Sequence, residues 1–130
     1  MRNVLIVLLL PVLFAFQCNK DSSERCLTDL SITATTPPAT GTVGADLRIP
    51  LTCSGPDLCY SFASLEILNP QPRRYEVRVK GTRPCGPAMC PQAIYSADTA
   101  VHIVPPVAGQ YIITYLMHDA ISSYDTIQVN

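Results

Sequence analysis

The chain has 130 residues, 48% of them apolar and only 15% charged, with a formal net charge of −1. Much of that apolar share is local: Met1 to Gln17 hold 13 of the 62 apolar residues, so a chain starting at Cys18 has 49 among 113, about 43%, an ordinary globular value. One domain fits this length, which excludes multidomain enzymes and long solenoids, while the near-neutral balance gives no electrostatic basis for a nucleic-acid partner.

Arg2 supplies a short positive start, and Val4 to Phe16 is an apolar run interrupted only by Pro11. That run of 13 residues is short of the roughly 20 needed to span a bilayer as a helix, so residues 1–17 read as a signal peptide. Ordinary signal cleavage wants small residues at two positions before the cut, and no site near the end of the run offers both. The other processing route is lipidation of Cys18. The polar stretch Cys18-Asn19-Lys20-Asp21-Ser22-Ser23-Glu24-Arg25 that follows resembles the lipoprotein signals of the Bacteroidetes group, although Gln17 stands where Gly, Ala or Ser usually precedes the cysteine. The resemblance implies an acyl anchor at Cys18 that holds the protein at the outer membrane, on its periplasmic or surface face. Residues 18–26 then form a polar linker, and residues 27–130 the folded domain.

An exported chain matures where paired cysteines oxidise. With Cys18 acylated, Cys26, Cys53, Cys59, Cys85 and Cys90 remain, enough for two bridges and one free thiol. None of their spacings matches a redox pair or a zinc knuckle, and no histidine lies near them, so neither a metal nor a cofactor is expected. Two pairing patterns are open. A local pattern joins Cys53 to Cys59 and Cys85 to Cys90; a crossed pattern joins Cys59 to Cys90 and Cys53 to Cys85.

Beyond the linker the apolar residues alternate in short runs bounded by Pro and Gly, the signature of strands. Leu30, Ile32 and Ala34 alternate with polar residues and stop at Pro37-Pro38. Leu47, Ile49, Leu51 and Cys53 point one way and Asp46, Arg48, Pro50 and Thr52 the other, with Pro50 predicting a sheet edge or a solvent-facing gap in the ladder. Tyr60, Phe62, Leu65 and Ile67 make a third run, closed by Asn69-Pro70-Gln71-Pro72. Tyr75, Val77 and Val79 alternate with Glu76, Arg78 and Lys80, which predicts a half-buried strand whose charged face meets water. A turn-rich insertion from Gly81 to Pro91 comes next, then a short strand through Val101, Ile103 and Val104. Tyr111 to Met117 is apolar on both faces, as a central strand would be, and Tyr124 to Val129 supplies the last run. About seven strands in roughly 105 residues predict an all-β, antiparallel β-sandwich. Gly109-Gln110-Tyr111 is compatible with a tyrosine corner, and the absence of Trp rules out the Trp-on-disulfide core of antibody domains.

The succession Gly55…Cys59-Tyr60-Ser61-Phe62, Tyr75-Glu76-Val77-Arg78-Val79, Cys90-Pro91-Gln92-Ala93, Pro105…Gly109-Gln110-Tyr111 and Asp125-Thr126-Ile127-Gln128-Val129 resembles a group of small Bacteroidetes lipoproteins with an immunoglobulin-like domain. The resemblance covers most of residues 27–130 and implies fold and location; it carries no activity. In that pattern the Gly…Cys-Tyr and Cys-Pro-Gln cysteines recur together, which implies a Cys59–Cys90 bridge. The crossed pattern then leaves Cys53 for Cys85 and Cys26 as the odd thiol.

Little in the chain points to catalysis. His102 alternates with Val101 and Ile103 and should face solvent; His118 and Asp119 lie where a strand becomes a loop, near Tyr124 and Asp125, and read as a polar turn. Glu66, Glu76 and Asp98 stand alone, and no nucleophile elbow, phosphate loop or zinc-protease motif occurs. Arg73, Arg74, Arg78, Lys80 and Arg83 gather five positive charges within 11 residues, either a solvated strand face or a contact for lipid phosphates or an acidic partner. The 83–95 insertion is the best candidate for a recognition loop, with a structural staple as the other reading. The expectation is therefore a non-enzymatic lipoprotein, a binding or structural accessory with a protein or glycan ligand. The alternative is an enzyme inhibitor or small hydrolytic enzyme using the 83–95 loop. A pocket gathering His118, Asp119 and a further carboxylate would favour the enzyme; a projecting disulfide-held loop would favour binding.

Overall fold

A computed structural model describes residues 24–130, and each regular element in them is a strand. The strands are β1 (Arg25–Thr35), β2 (Thr40–Gly41), β3 (Leu47–Gly55), β4 (Ser61–Gln71), β5 (Arg74–Pro84), β6 (Tyr95–Ile103), β7 (Gly109–Met117) and β8 (Ala120–Val129). The signal peptide and Cys18 lie outside the described residues. β1 begins two residues inside the expected linker, so Arg25 and Cys26 belong to the domain.

Period-two alternation does what the sequence asks. Leu47, Ile49, Leu51 and Cys53 of β3 are buried, as are Val77 and Val79 of β5, Val101 and Ile103 of β6, and Ile127 and Val129 of β8. Together with Leu30, Ile113 and Tyr115 they make one core. Pro50 is not at a sheet edge: β3 lies between β1 and β6, and Pro50 stands opposite Ala100. Its carbonyl accepts from Thr36 N (2.9 Å), one residue past the end of β1, so the missing N–H falls where the β1 side of the ladder ends.

The expected sandwich does not emerge as two clearly separate antiparallel sheets. All the strands join in one mixed, strongly curled half-barrel sheet, ordered β2-β8-β7-β5-β1-β3-β6 with β4 paired to β5. The curl begins in β1. Its residues from Arg25 to Leu30 pair with β5, those from Ser31 to Thr35 pair with β3, and the register slips between Ile32 and Ala34. Such an irregularity bends a strand and raises its twist. β5 is shared in the same way: Arg74 to Arg78 face β7 and Val79 to Pro84 face β1.

Two pairings, β2 with β8 and β5 with β7, are parallel, which corrects the purely antiparallel expectation. The β4–β5 hairpin presents β5 to β7, and a parallel neighbour can be reached only by a long crossover, here the 85–94 loop followed by β6. β2 and β6 end the strand order, and β4, paired only to β5, is a further edge. β4 and β6 meet where Phe62 N donates to Tyr95 Oη at 2.8 Å.

β7 is central, but its faces differ. Tyr111, Ile113, Tyr115 and Leu116 are buried, whereas Ile112 and Thr114 are half-buried, so the two-sided burial expected for this strand is only partly realised. Tyr111 Oη donates to Val107 O, four residues upstream, at 2.8 Å, the bond that defines a tyrosine corner.

Gly81 lets β1 and β4 crowd against β5. A Cβ there would stand 2.7 Å from Leu30 Cγ and 2.8 Å from the Ser61 carbonyl oxygen, and the backbone oxygen cannot swing aside. Gly81→Ala should therefore lower stability by about 1–3 kcal/mol, the usual cost of forcing atoms into a filled interior. Gly86→Ala, with nothing within 4 Å of the added atom, should leave it nearly unchanged. Urea midpoints for the two variants decide the matter; equal midpoints would mean that β1 and β5 have room to separate.

Candidate functional site

Two regions draw together the residues that the sequence singles out. The first lies on the outer face of β5. Met117 pairs with Ala120, so His118 and Asp119 are a two-residue turn, and both are left-handed, with φ of 49° and 65°. A hairpin turn with two positive φ angles normally uses Asn-Gly or Asp-Gly. Here external contacts hold the less favourable residues in place. His118 N donates to Asp29 Oδ2 at 2.8 Å, and Asp119 Oδ1 lies 2.6 Å from Arg78 Nη2.

Asp29 is the centre of this cluster, its side chain only 7% exposed. It lies directly opposite Lys80 across the β1–β5 ladder, and Lys80 Nζ donates to its Oδ1 at 2.6 Å. Burial opposes ionisation of Asp29. Hydrogen bonds from Lys80 and His118 N, and the charges of Lys80 and His118, outweigh that and hold its carboxyl below the ordinary aspartate value. Glu66 stands 3.8 Å from Lys80 Nζ, and His118 Nδ1 stands 3.8 Å from Asp29 Oδ2. Arg78 Nε is buried without a hydrogen-bond partner. The cluster lines an open hollow of about 450 Å³ to which Leu27, Thr28 and Ser64 also contribute.

The hollow thus gathers His118, Asp119 and a further carboxylate, Asp29. Its acids are, however, already engaged, and the His118 ring, 64% exposed, makes no hydrogen bond to any of them. Both oxygens of Asp29 accept hydrogen bonds, Asp119 is paired with Arg78, and no hydrogen bond among the described residues joins Ser64 to His118. A general base needs a free acceptor facing the substrate proton. The five-charge basic run does not form one patch either. Arg78 and Lys80 are half-buried and paired to acids rather than turned freely to water, while Arg73 and Arg83 lie at opposite ends of the β5 region. His102 faces solvent, hydrogen-bonded through Nδ1 to Asp46 Oδ2 at 2.8 Å.

The second region is the 83–95 loop. Cys59 bonds to Cys90, the pair implied by the resemblance, and Cys26 bonds to Cys85. The second bridge corrects the crossed pattern, in which Cys85 was assigned to Cys53. Cys53 is unbonded because it shares the inward phase of β3 with Leu47, Ile49 and Leu51; it is fully buried, with its thiol directed at Ala97 O. Burial also pushes that thiol above its ordinary value. Cys26 lies across the ladder from Arg83, which brings it beside Cys85. Asp57, Cys59 and Cys90 converge, but both sulfurs are spent in the disulfide and offer no thiolate to a metal.

Two disulfides mark an extracytoplasmic protein. Comparison of the chain with protein-family models, with curated proteins and with solved structures finds no match.

Both regions yield measurable consequences. Because the folded Asp29 carboxyl is depressed, its contribution to stability is complete above the ordinary aspartate value of about 3.9 and is lost as pH falls through the lower folded value. Asp29→Asn should be less stable at neutral pH and show a flatter acid limb in urea midpoints measured against pH; curves that stay parallel to the wild type would remove Asp29 from that role. Alkylation should leave Cys53 unreacted in the native protein and modify it in denaturant, and non-reducing peptide mapping should recover Cys26–Cys85 and Cys59–Cys90.

Proposed function

We propose that this protein is an exported lipoprotein, held at the outer membrane by acyl chains on Cys18, whose domain is a non-enzymatic binding or structural accessory for a protein or glycan ligand. The observation that carries the non-enzymatic reading is the state of the hollow beside β5. Its acids are committed to Lys80, Arg78 and the His118 amide, and this arrangement locks a strained turn in place. Anchoring is supported by the leader and by its fit to the fold: β1 is covalently fastened to β5 at Cys26, eight residues after Cys18, so a tether at Cys18 would bear directly on the rigid body.

The finer fold reading, an immunoglobulin-like sandwich, is supported by the Tyr111 corner and by the passage of β1 from β5 to β3. The parallel β5–β7 pairing is a departure from that pattern.

Hydrolysis is the second reading, favoured by the 3.8 Å approach of His118 to Asp29 next to Ser64. It would require Asp29 Oδ2, which accepts from the His118 backbone N–H, to turn to the His118 ring instead.

The anchor is tested by growing cells with a clickable palmitate analogue. Wild-type protein should take up the label and sediment with membranes, whereas Cys18→Ala should do neither. Equal labelling of the two would sink the lipoprotein reading.

A further inference from the structure

The 84–94 loop stands at the point where the chain enters the domain. Cys85 N donates to Glu24 O at 2.9 Å, Arg25 lies opposite Pro84, and Cys26 is bonded to Cys85. The β3–β4 connection is at the same end, through the Cys59–Cys90 bridge and the hydrogen bond from Leu58 N to Pro91 O. Arg25 ties the corner together, donating to Thr82 Oγ1, Cys59 O, Ser61 Oγ and Thr82 O.

The chemistry of this end is unlike that of the β5 face. From Pro84 to Ala97 the sequence has no charged residue. Met89 is fully exposed, Ile94 is 74% exposed and Leu58 is 50% exposed. Two disulfides and three prolines, Pro84, Pro87 and Pro91, fix the loop that carries Met89 and Ile94, while Leu58 follows Asp57 on the β3–β4 connection held to it, so little conformational freedom remains to be lost on contact. Exposed apolar side chains on a rigid, uncharged loop meet no desolvation penalty for charge when they enter an interface. Arg83 at the rim is exposed and can reach lipid phosphates while its stem lies along apolar surface.

The length of chain before the domain says what covers this surface. Six residue steps separate Cys18 from Glu24, and a fully extended chain covers at most about 3.3–3.6 Å per step, so Glu24 lies within roughly 20 Å of an acylated Cys18. Cys85, hydrogen-bonded to Glu24, nearly shares that limit, and Met89 and Ile94 follow it by only four and nine residues. With Cys18 acylated, the apolar tip is therefore confined near the bilayer.

We infer that Leu58, Met89 and Ile94 form a second membrane contact, dipping into the headgroup boundary of the lipid surface in which the Cys18 acyl chains are buried. This rests on the anchored reading above. The contact orients the domain. The disulfide end faces the bilayer, and the end built from the Pro72-Arg73 turn and the Pro106-Val107 corner faces away from it. It also gives the 84–94 loop a lipid rather than a protein ligand.

The chain has no Trp, so a single one reports its own surroundings. Full-length acylated protein carrying Met89→Trp, or Ile94→Trp as a second reporter, is reconstituted in phosphatidylethanolamine–phosphatidylglycerol vesicles with and without brominated acyl chains. Val107→Trp, at the far end and 53% exposed, is the comparison. The loop reporters should be blue-shifted and lose roughly half their emission to bromine, the depth expected of side chains a few ångströms into the interface, while Val107→Trp should be unaffected. Loop reporters as unquenched as Val107→Trp, on protein that floats with the vesicles, would overturn the second contact and leave the anchor standing. Failure of the wild type to float would overturn both, and flotation rather than fluorescence records that outcome.

Discussion

Leu30 sits at the last position where β1 pairs with β5, and its side chain lies against the bare backbone of Gly81. That contact sets how closely the two strands approach before β1 turns away to β3. A wider separation would pull β3 and β6 off the core and open the half-barrel. The next residue back, Asp29, points to the opposite face because strand side chains alternate. One strand crossing therefore seats a core leucine on the inside and places a buried carboxylate on the outside, directly against Lys80 and beneath the His118 turn.

The outer face is consequently an internal electrostatic arrangement displayed at the surface. Alternation along β5 reads as a charged, water-facing stripe, yet Arg78 and Lys80 are partly covered and matched by acids from β1, β4 and the β7–β8 turn. Mostly exposed ion pairs contribute little individually. Asp29 differs because it is withdrawn from solvent and satisfied by two donors, which lets it hold a turn whose backbone would otherwise relax.

Period two makes most of the strands and many of their inward residues legible, and the Gly109-Gln110-Tyr111 triplet the tyrosine corner. The partner order was not legible, since whether β4 or β5 meets β7 depends on tertiary packing and leaves no mark in the alternation. The ion cluster was hidden for a related reason: Asp29 is 51 residues from Lys80 and 89 from His118, and only the sheet brings them together. The His118-Asp119 turn was legible as a turn, but its left-handed backbone was not, because neither residue is the Gly or Asn that usually announces one. The cysteines are more instructive. Cys53 stands in phase with Leu47, Ile49 and Leu51, a signal of burial that the crossed pairing with Cys85 passes over. The charges of Glu24 and Arg25 make Cys26 read as part of a linker, although Arg25 spends its charge on hydrogen bonds at the domain's own edge.

The buried thiol has a further consequence for how the molecule matures. The five cysteines of the described residues admit 15 arrangements of two bridges with one left over, and thiolate exchange can pass an unfolded chain among them. Once β3 packs, Cys53 is withdrawn from solvent and its thiolate is disfavoured, so the remaining four lose their internal reshuffling agent. Packing thus acts as a proofreader of oxidation. A mispaired chain that uses Cys53 cannot bury it as a free side chain at the centre of β3, which discards 12 of the 15 arrangements; the sheet register, which sets Cys26 beside Cys85, selects among the remaining three.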